Sequence, residues 1–371
     1  MAQDVVNPRG NATDRGTTSS AIQPLLINDR RVGPGEPMYI IAEMSANHQQ
    51  DFEQAARLVR AAKEAGADAV KLQTYTPDTL TIQSDREYFQ IRGGMLWDGQ
   101  TLYELYRKAY MPWEWQPKLQ AIARNVGIDL FSTAYDPTAV DFLESMGVPA
   151  YKVASFELVD LPLIDKLART GKPLVMSTGM ATFEEIQEAV EVVRKTGARQ
   201  MALLKCTSAY PAPPGEMYLR TIPDLAEAFR LPVGLSDHTL GIVVPIAAAA
   251  LGACIVEKHF TLSRSTPGPD SAFSLEPHEF QAMVEAIRTA EQALGQVRYG
   301  AGEREANSLA YRRSLFVVQD MKAGDRFTEQ CVRSIRPGHG LHTRYLSKIL
   351  GQRASREISR GTPVSWDLIA E

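Results

Sequence analysis

From residue 39 to residue 260, short apolar runs each end in polar side chains able to do chemistry. In chain order these are Glu43; Lys71 with Gln73; Ser132-Thr133; Lys152 with Ser155; Ser177-Thr178; Lys205 to Ser208 with Tyr210; Ser236 to His238; and Glu257 to His259. Lysine ammonium groups and Ser or Thr hydroxyls suit a phosphate or a carboxylate, so Lys71 and Lys152 with hydroxyls from neighbouring runs describe an anion pocket. Structural ion pairs are the plainer reading of the same lysines. His238 and His259 end the last two runs, and Glu43 ends the run beside them in a closed ring. Two imidazoles and a nearby carboxylate suit a divalent ion such as manganese, iron or zinc. Either histidine alone reads more simply as a satisfied core residue. His48, His278, His339 and His342 share no such spacing, although His48 follows the first run.

The elements that must position these groups are strands alternating with helices. Strand-like runs begin at Tyr39, Ala69, Ile128, Ala150, Pro173, Met201, Pro232 and Ala253. Helical spacing separates most of them: Phe52, Ala55, Ala56, Val59 and Ala62 before Gly66, then Thr182 to Lys195 and Glu276 to Leu294. Such alternation implies parallel βαβ units. Eight units in roughly 250 residues predict an α/β chain closed as a (β/α)8 TIM barrel, whose strand C-termini share one mouth. An open doubly wound sheet is the structural alternative, weakened because no glycine-rich phosphate loop follows the first strand.

Asn28-Asp29 and Gly33-Pro34-Gly35 are turn signals for a hairpin that plugs the N-terminal mouth. Residues 76–115 form a long insertion rich in Tyr and Trp, with Gly93-Gly94 inside it; a connection this long is expected to be functional, as a lid. The expected domains are a leader over 1–20, a barrel over 21–294, a polar linker over 295–313 and a small turn-rich domain over 314–371.

Composition excludes several classes. Over 371 residues, 40 basic against 44 acidic side chains leave no surplus to neutralise a phosphate backbone, so no nucleic-acid partner is expected. No apolar run reaches the roughly 18 residues of a membrane helix, and the N-terminus lacks a signal-peptide core. Cys206, Cys254 and Cys331 are odd in number and far apart, which suits small buried hydrophobes in a cytoplasmic protein. The sequon at Asn11 carries little meaning there.

Seven phrases resemble the nonulosonic (sialic) acid synthases. They are Ile41-Ala-Glu-Met-Ser-Ala-Asn-His48, Val70-Lys-Leu-Gln-Thr74, Tyr151-Lys-Val-Ala-Ser155, Ser177-Thr-Gly-Met180, Cys206-Thr-Ser-Ala-Tyr-Pro211, Leu235-Ser-Asp-His238 and Glu257-Lys-His-Phe260. The likeness covers nearly the whole chain after residue 20, and the C-terminal part is similar to the antifreeze-like (SAF, β-clip) module of those enzymes. Gly94-Met-Leu-Trp97, Pro112-Trp-Glu-Trp115, Ala209-Tyr-Pro-Ala-Pro-Pro214 and Pro267-Gly-Pro-Asp-Ser-Ala-Phe-Ser-Leu275 resemble the branch that makes pseudaminic acid.

The resemblance implies condensation of phosphoenolpyruvate with an open-chain acetamido aldose, phosphate leaving by C–O cleavage, in the biosynthesis of surface or flagellin glycans. It implies that Lys71, Thr133, Lys152, Ser155, Ser177, Ser208 and Ser236 hold phosphoenolpyruvate. His238 and His259 would bind Mn2+, with Mg2+ or Co2+ as alternatives, and Glu43 would sit beside the reacting carbons. Gln73, Glu157, Tyr210 and Asp270 would face the sugar. Arg336 would reach its acetamido group from the second chain of a domain-swapped homodimer. Sialic acid synthases that use N-acetylmannosamine carry Asn where this chain has Ser208. That departure favours 2,4-diacetamido-2,4,6-trideoxy-altrose, with N-acetylneuraminic or legionaminic acid synthesis as the alternative. Readings from other classes are a metal-dependent barrel hydrolase, an aldolase with Lys71 or Lys152 as Schiff base, and a non-enzymatic sugar- or ice-binding protein.

Overall fold

The computed structural model describes residues 22–92 and 97–370. The leader with its Asn11 sequon, and Gly93 through Leu96 in the insertion, lie outside the described residues. The chain forms two compact units that meet in sequence between Gly295 and Gln296.

The first unit opens with a hairpin, β1 (Leu25–Ile27) against β2 (Arg30–Val32). Eight parallel strands follow: β3 (Tyr39–Glu43), β4 (Ala69–Thr74), β5 (Asp129–Ala134), β6 (Tyr151–Val153), β7 (Leu174–Ser177), β8 (Met201–Cys206), β9 (Val233–Asp237) and β10 (Ile255–His259). β10 pairs with both β9 and β3, so the sheet closes into a barrel and the open-sheet alternative falls. Strands buried on both faces read as unbroken apolar runs, which is why all eight are visible in the sequence; β3, β9 and β10 are buried at every residue.

Helices on the outside begin at side chains that cap them. Asp51 accepts from the N–H groups of Glu53 and Gln54 ahead of the helix Phe52–Glu64. Thr182 and Glu185 form a reciprocal capping box ahead of Phe183–Lys195. The hairpin covers the strand N-termini: Leu25, Ile27 and Val32 are buried in the barrel core. Asn28 Nδ2 donates to Asp129 at the start of β5, 2.6 Å away, and Arg30 pairs with Asp68 just before β4. With that end closed, chemistry belongs to the opposite mouth.

The second unit carries its own small core of Leu315, Val317, Phe327, Ile349, Val364 and Leu368. Its sheet pairs β11 (Ser314–Val317) antiparallel with β12 (Val332–Ile335), and Lys322-Ala-Gly-Asp325 makes the expected turn, closed by the Lys322 N–H on Asp325. Residues expected as linker belong to this unit and include a 3-10 helix, Glu303–Tyr311.

Candidate active site

Parallel register puts the polar strand ends side by side. Glu43 lies opposite Lys71, and also opposite His259; Thr133 lies opposite both Gln73 and Lys152. Lys71 Nζ donates to Thr133 Oγ1 (2.9 Å) and sits 2.8 Å from Glu43 and 3.6 Å from Glu257. Lys152 Nζ is 3.1 Å from the same Glu257. All four charged groups are buried, and formally they cancel. The two lysines are thus in ion pairs, as the plainer sequence reading had it. Burial, with Glu257 nearby, pushes the Glu43 pKa up despite the pull of Lys71.

Hydroxyls complete this part of the mouth. Ser155 Oγ accepts from the Gly179 N–H at 3.1 Å, and a Cβ on residue 179 would collide with the Oγ atoms of both Ser155 and Ser208. Glycine is required there because Ser155 and Ser208 converge on the backbone after β7. Ser177 Oγ is buried without a hydrogen-bond partner, a donor available to a ligand. Ser236, also buried, lies opposite Cys206 and Glu257 in register.

His238 and His259 stand with ring centroids 5.3 Å apart. His238 Nδ1 faces the Thr207 carbonyl at 2.9 Å; the carbonyl only accepts, so Nδ1 carries a proton, and despite burial the Cys206 thiol and this carbonyl raise the pKa of His238. His259 Nδ1 is buried without a partner, and burial holds this imidazole well below its ordinary pKa, so it is neutral. The aromatic rings of Tyr210 (4.4 Å from His238) and Phe273 (4.8 Å from His259) fix both orientations. Two imidazoles at adjacent strand ends are the donor type that would suit a divalent ion once both are deprotonated. The Glu43 carboxylate, opposite His259 in register, takes Lys71 and the Gln73 Nε2, 2.8 Å away. Among the described residues no group of three or more His, Cys, Asp or Glu side chains is arranged to hold a metal.

Gln73, Glu157, Tyr210, Asp270 and His259 all line one cavity of about 580 Å3, large enough for a sugar. Asp270 accepts from Ser45 Oγ and from the Ala46 N–H (3.4 Å), yet burial still raises its pKa. Burial likewise pushes Glu157 up to about 7, and its Oε2 has no hydrogen-bond partner. The insertion supplies much of the remaining lining, including Tyr106 and Trp97, whose Nε1 donates to the Pro269 carbonyl at 3.1 Å. Arg336 belongs to the second unit, where it follows β12 and is exposed.

The NeuB family model matches residues 58–299, and the SAF domain model matches residues 312–370. The chain belongs to the NeuB family. It is 44% identical over 333 residues to the pseudaminic acid synthase of Helicobacter pylori, covering 90% of this chain and 98% of that one. It is 37% identical over 342 residues to the N,N'-diacetyllegionaminic acid synthase of Legionella pneumophila, covering 91% and 96%. Among solved structures, the spore coat polysaccharide biosynthesis protein SpsE of Bacillus subtilis is similar with a TM-score of 0.64 and 33% identity, over 94% of this chain and 99% of that one.

Within this NeuB-family mouth, sequence reasoning missed three participants. Glu257 was seen as a polar strand end but given no role, yet its carboxylate links Lys71 and Lys152. Ser45 donates to Asp270 and accepts from Gln73 Nε2 at 2.9 Å, tying the first strand to the loop after the last. Cys206, read as a small hydrophobe, has its Sγ 3.9 Å from His238 Nδ1; burial alone would raise this thiol, but His238, Ser155 and Lys152 together outweigh it and bring it to about 7. A periodic signal marked each of these strands, but no periodicity shows which side chains meet across the mouth.

Proposed function

We propose that this chain is a pseudaminic acid synthase: it condenses phosphoenolpyruvate with 2,4-diacetamido-2,4,6-trideoxy-altrose and water to give pseudaminic acid and phosphate. One observation carries the reading: two lysines, a set of converging hydroxyls and two imidazoles end neighbouring strands beside a sugar-sized cavity. The choice of sugar follows the relatives of highest identity.

On this reading Lys71, Lys152 and the hydroxyls of Thr133, Ser155, Ser177, Ser208 and Ser236 hold the carboxylate and phosphate, and Gln73, Glu157, Tyr210 and Asp270 hold the open-chain sugar. Carbon 3 of phosphoenolpyruvate attacks the aldehyde carbon, water adds at carbon 2, and the C–O bond to phosphate breaks. Holding two reactants in line supplies much of the rate for so weak a nucleophile. His238 and His259 would hold a divalent ion, Mn2+ by preference, which supplies electrophilic activation of the aldehyde when bound. Glu43, its pKa raised by burial, or water on the metal would manage the proton.

A second reading has an observation of its own. Burial lowers the pKa of Lys152, as a Schiff-base nucleophile requires. Incubation with phosphoenolpyruvate and the sugar decides between them. The proposed condensation releases phosphate in step with sugar consumption and gives no borohydride-trapped adduct. A trapped adduct on Lys152 without phosphate release would establish the aldolase.

The working enzyme is proposed as a cytoplasmic, domain-swapped homodimer in which Arg336 of one chain reaches the sugar bound by the barrel of the other. The small core of the second unit and the rigid donor fork of arginine, suited to an acetamido oxygen, support this. Co-expressing His238→Ala with Arg336→Ala and isolating the mixed dimer is expected to restore activity, because one site then combines an intact barrel with an intact arginine. A mixed dimer no more active than its parents would exclude the swap.

A further inference from the structure

The insertion between β4 and β5 contains the helix Leu102–Ala109, whose start is fixed by a capping box between Thr101 and Glu104. Gln50 Nε2 donates to the carbonyls of Arg107 (2.9 Å) and Tyr110 (3.3 Å), so its end is held as well. Glu104, Arg107 and Lys108 are exposed. Leu102, Leu105, Tyr106 and Ala109 recur at i, i+3, i+4 and i+7 and share the other face. Such a face ordinarily packs on the domain core. Here all four residues line the 580 Å3 cavity, with Leu80 beside them, and none joins the contiguous apolar core among the described residues.

A sugar cavity with hydrogen-bonding groups on one part of its lining and a leucine wall on another is built for a ligand with an apolar end. The aldehyde carbon has to meet phosphoenolpyruvate at the strand ends, which leaves the rest of the cavity, lined in large part by the insertion, for the far end of the sugar. We infer that the Leu80, Leu102, Leu105 and Ala109 wall receives the C6 methyl and the neighbouring 4-acetamido methyl, and so selects 6-deoxy-4-acetamido aldoses over 6-hydroxy ones. This assignment rests on the proposed synthase reading. A C6 hydroxyl against this wall would give up its water without a replacement hydrogen bond, whereas a methyl gains contact.

Leu105→Ala tests the assignment in steady-state assays with three sugars: the altro and manno forms of 2,4-diacetamido-2,4,6-trideoxyhexose, and N-acetylmannosamine, scored by turnover or as a competitor. The wall contacts a region that the two trideoxy sugars share. For both, kcat/KM is expected to fall about tenfold or more, chiefly through KM, since methylene-sized contacts are worth roughly 10–200-fold. N-acetylmannosamine and phosphoenolpyruvate are expected to change by less than about threefold, as neither uses that contact. If a melting curve shows that Leu105→Ala does not fold, Leu102→Ala at the half-buried start of the same stripe gives the same comparison. Equal losses for all three sugars, or no loss for any, would overturn the inference while leaving the synthase reading standing. A wild-type enzyme that uses neither trideoxy sugar would overturn both.

Discussion

His238→Ala and His259→Ala are each expected to give a folded protein that retains no bound divalent metal and has lost activity by at least about a hundredfold. The magnitude follows because altering only the outer partners of metal-binding histidines already costs about 10–100-fold, and on the proposed reading one of two protein ligands disappears. Folding survives because both side chains sit at the mouth, past the apolar layers that hold the barrel together. Metal content of the purified variants, read beside their melting curves, is the check. Full turnover of the wild type in chelator, with no metal in the protein, would contradict the assignment.

Lys71→Ala and Lys152→Ala are expected to weaken phosphoenolpyruvate binding, each by on the order of 1.5–3 kcal/mol for a lost charged hydrogen bond, or about 10–150-fold in Kd. Sugar affinity, measured in the same calorimeter, changes far less. A second consequence follows from the ion pairs. Removing Lys152 leaves Glu257 buried with only the longer 3.6 Å contact to Lys71, so the variant is also destabilised; breaking a buried pair typically costs about 3–5 kcal/mol. Adding Glu257→Gln to Lys152→Ala removes the uncompensated charge and is expected to recover much of the stability without recovering phosphoenolpyruvate binding. Equal loss of affinity for both substrates, or return of phosphoenolpyruvate binding in the double variant, would show that the lysines serve only to hold the barrel.

The barrel was legible in the sequence because parallel strands buried on both faces leave apolar runs, and because Gly66, Thr182 and Glu276 punctuate the helices between them. The polar residue ending each run was legible for the same reason. Adjacency around the ring then followed from closure, which put Glu43 beside Lys71 and His259. What no pattern carried was the direction of each side chain within the mouth. Glu43 was read as a neighbour of the histidines, and its contacts to Lys71 and Gln73 could not be read from spacing. Glu257 takes two lysines from across the barrel, a contact set by radius and strand tilt rather than by spacing in the chain. The insertion read as aromatic and functional. That the helix Leu102–Ala109 turns its apolar stripe to the cavity depends on its docking through Gln50, a long-range contact with no local signature.

Structure of the product is the most direct measurement. Enzyme supplied with manganese, phosphoenolpyruvate and 2,4-diacetamido-2,4,6-trideoxy-altrose is expected to give one nine-carbon acid, identified by NMR as pseudaminic acid, with one phosphate released per molecule formed. It is expected to use this sugar with higher kcat/KM than the manno form or N-acetylmannosamine. Preference for either rival, or phosphate release without a new carbon–carbon bond, would contradict the account.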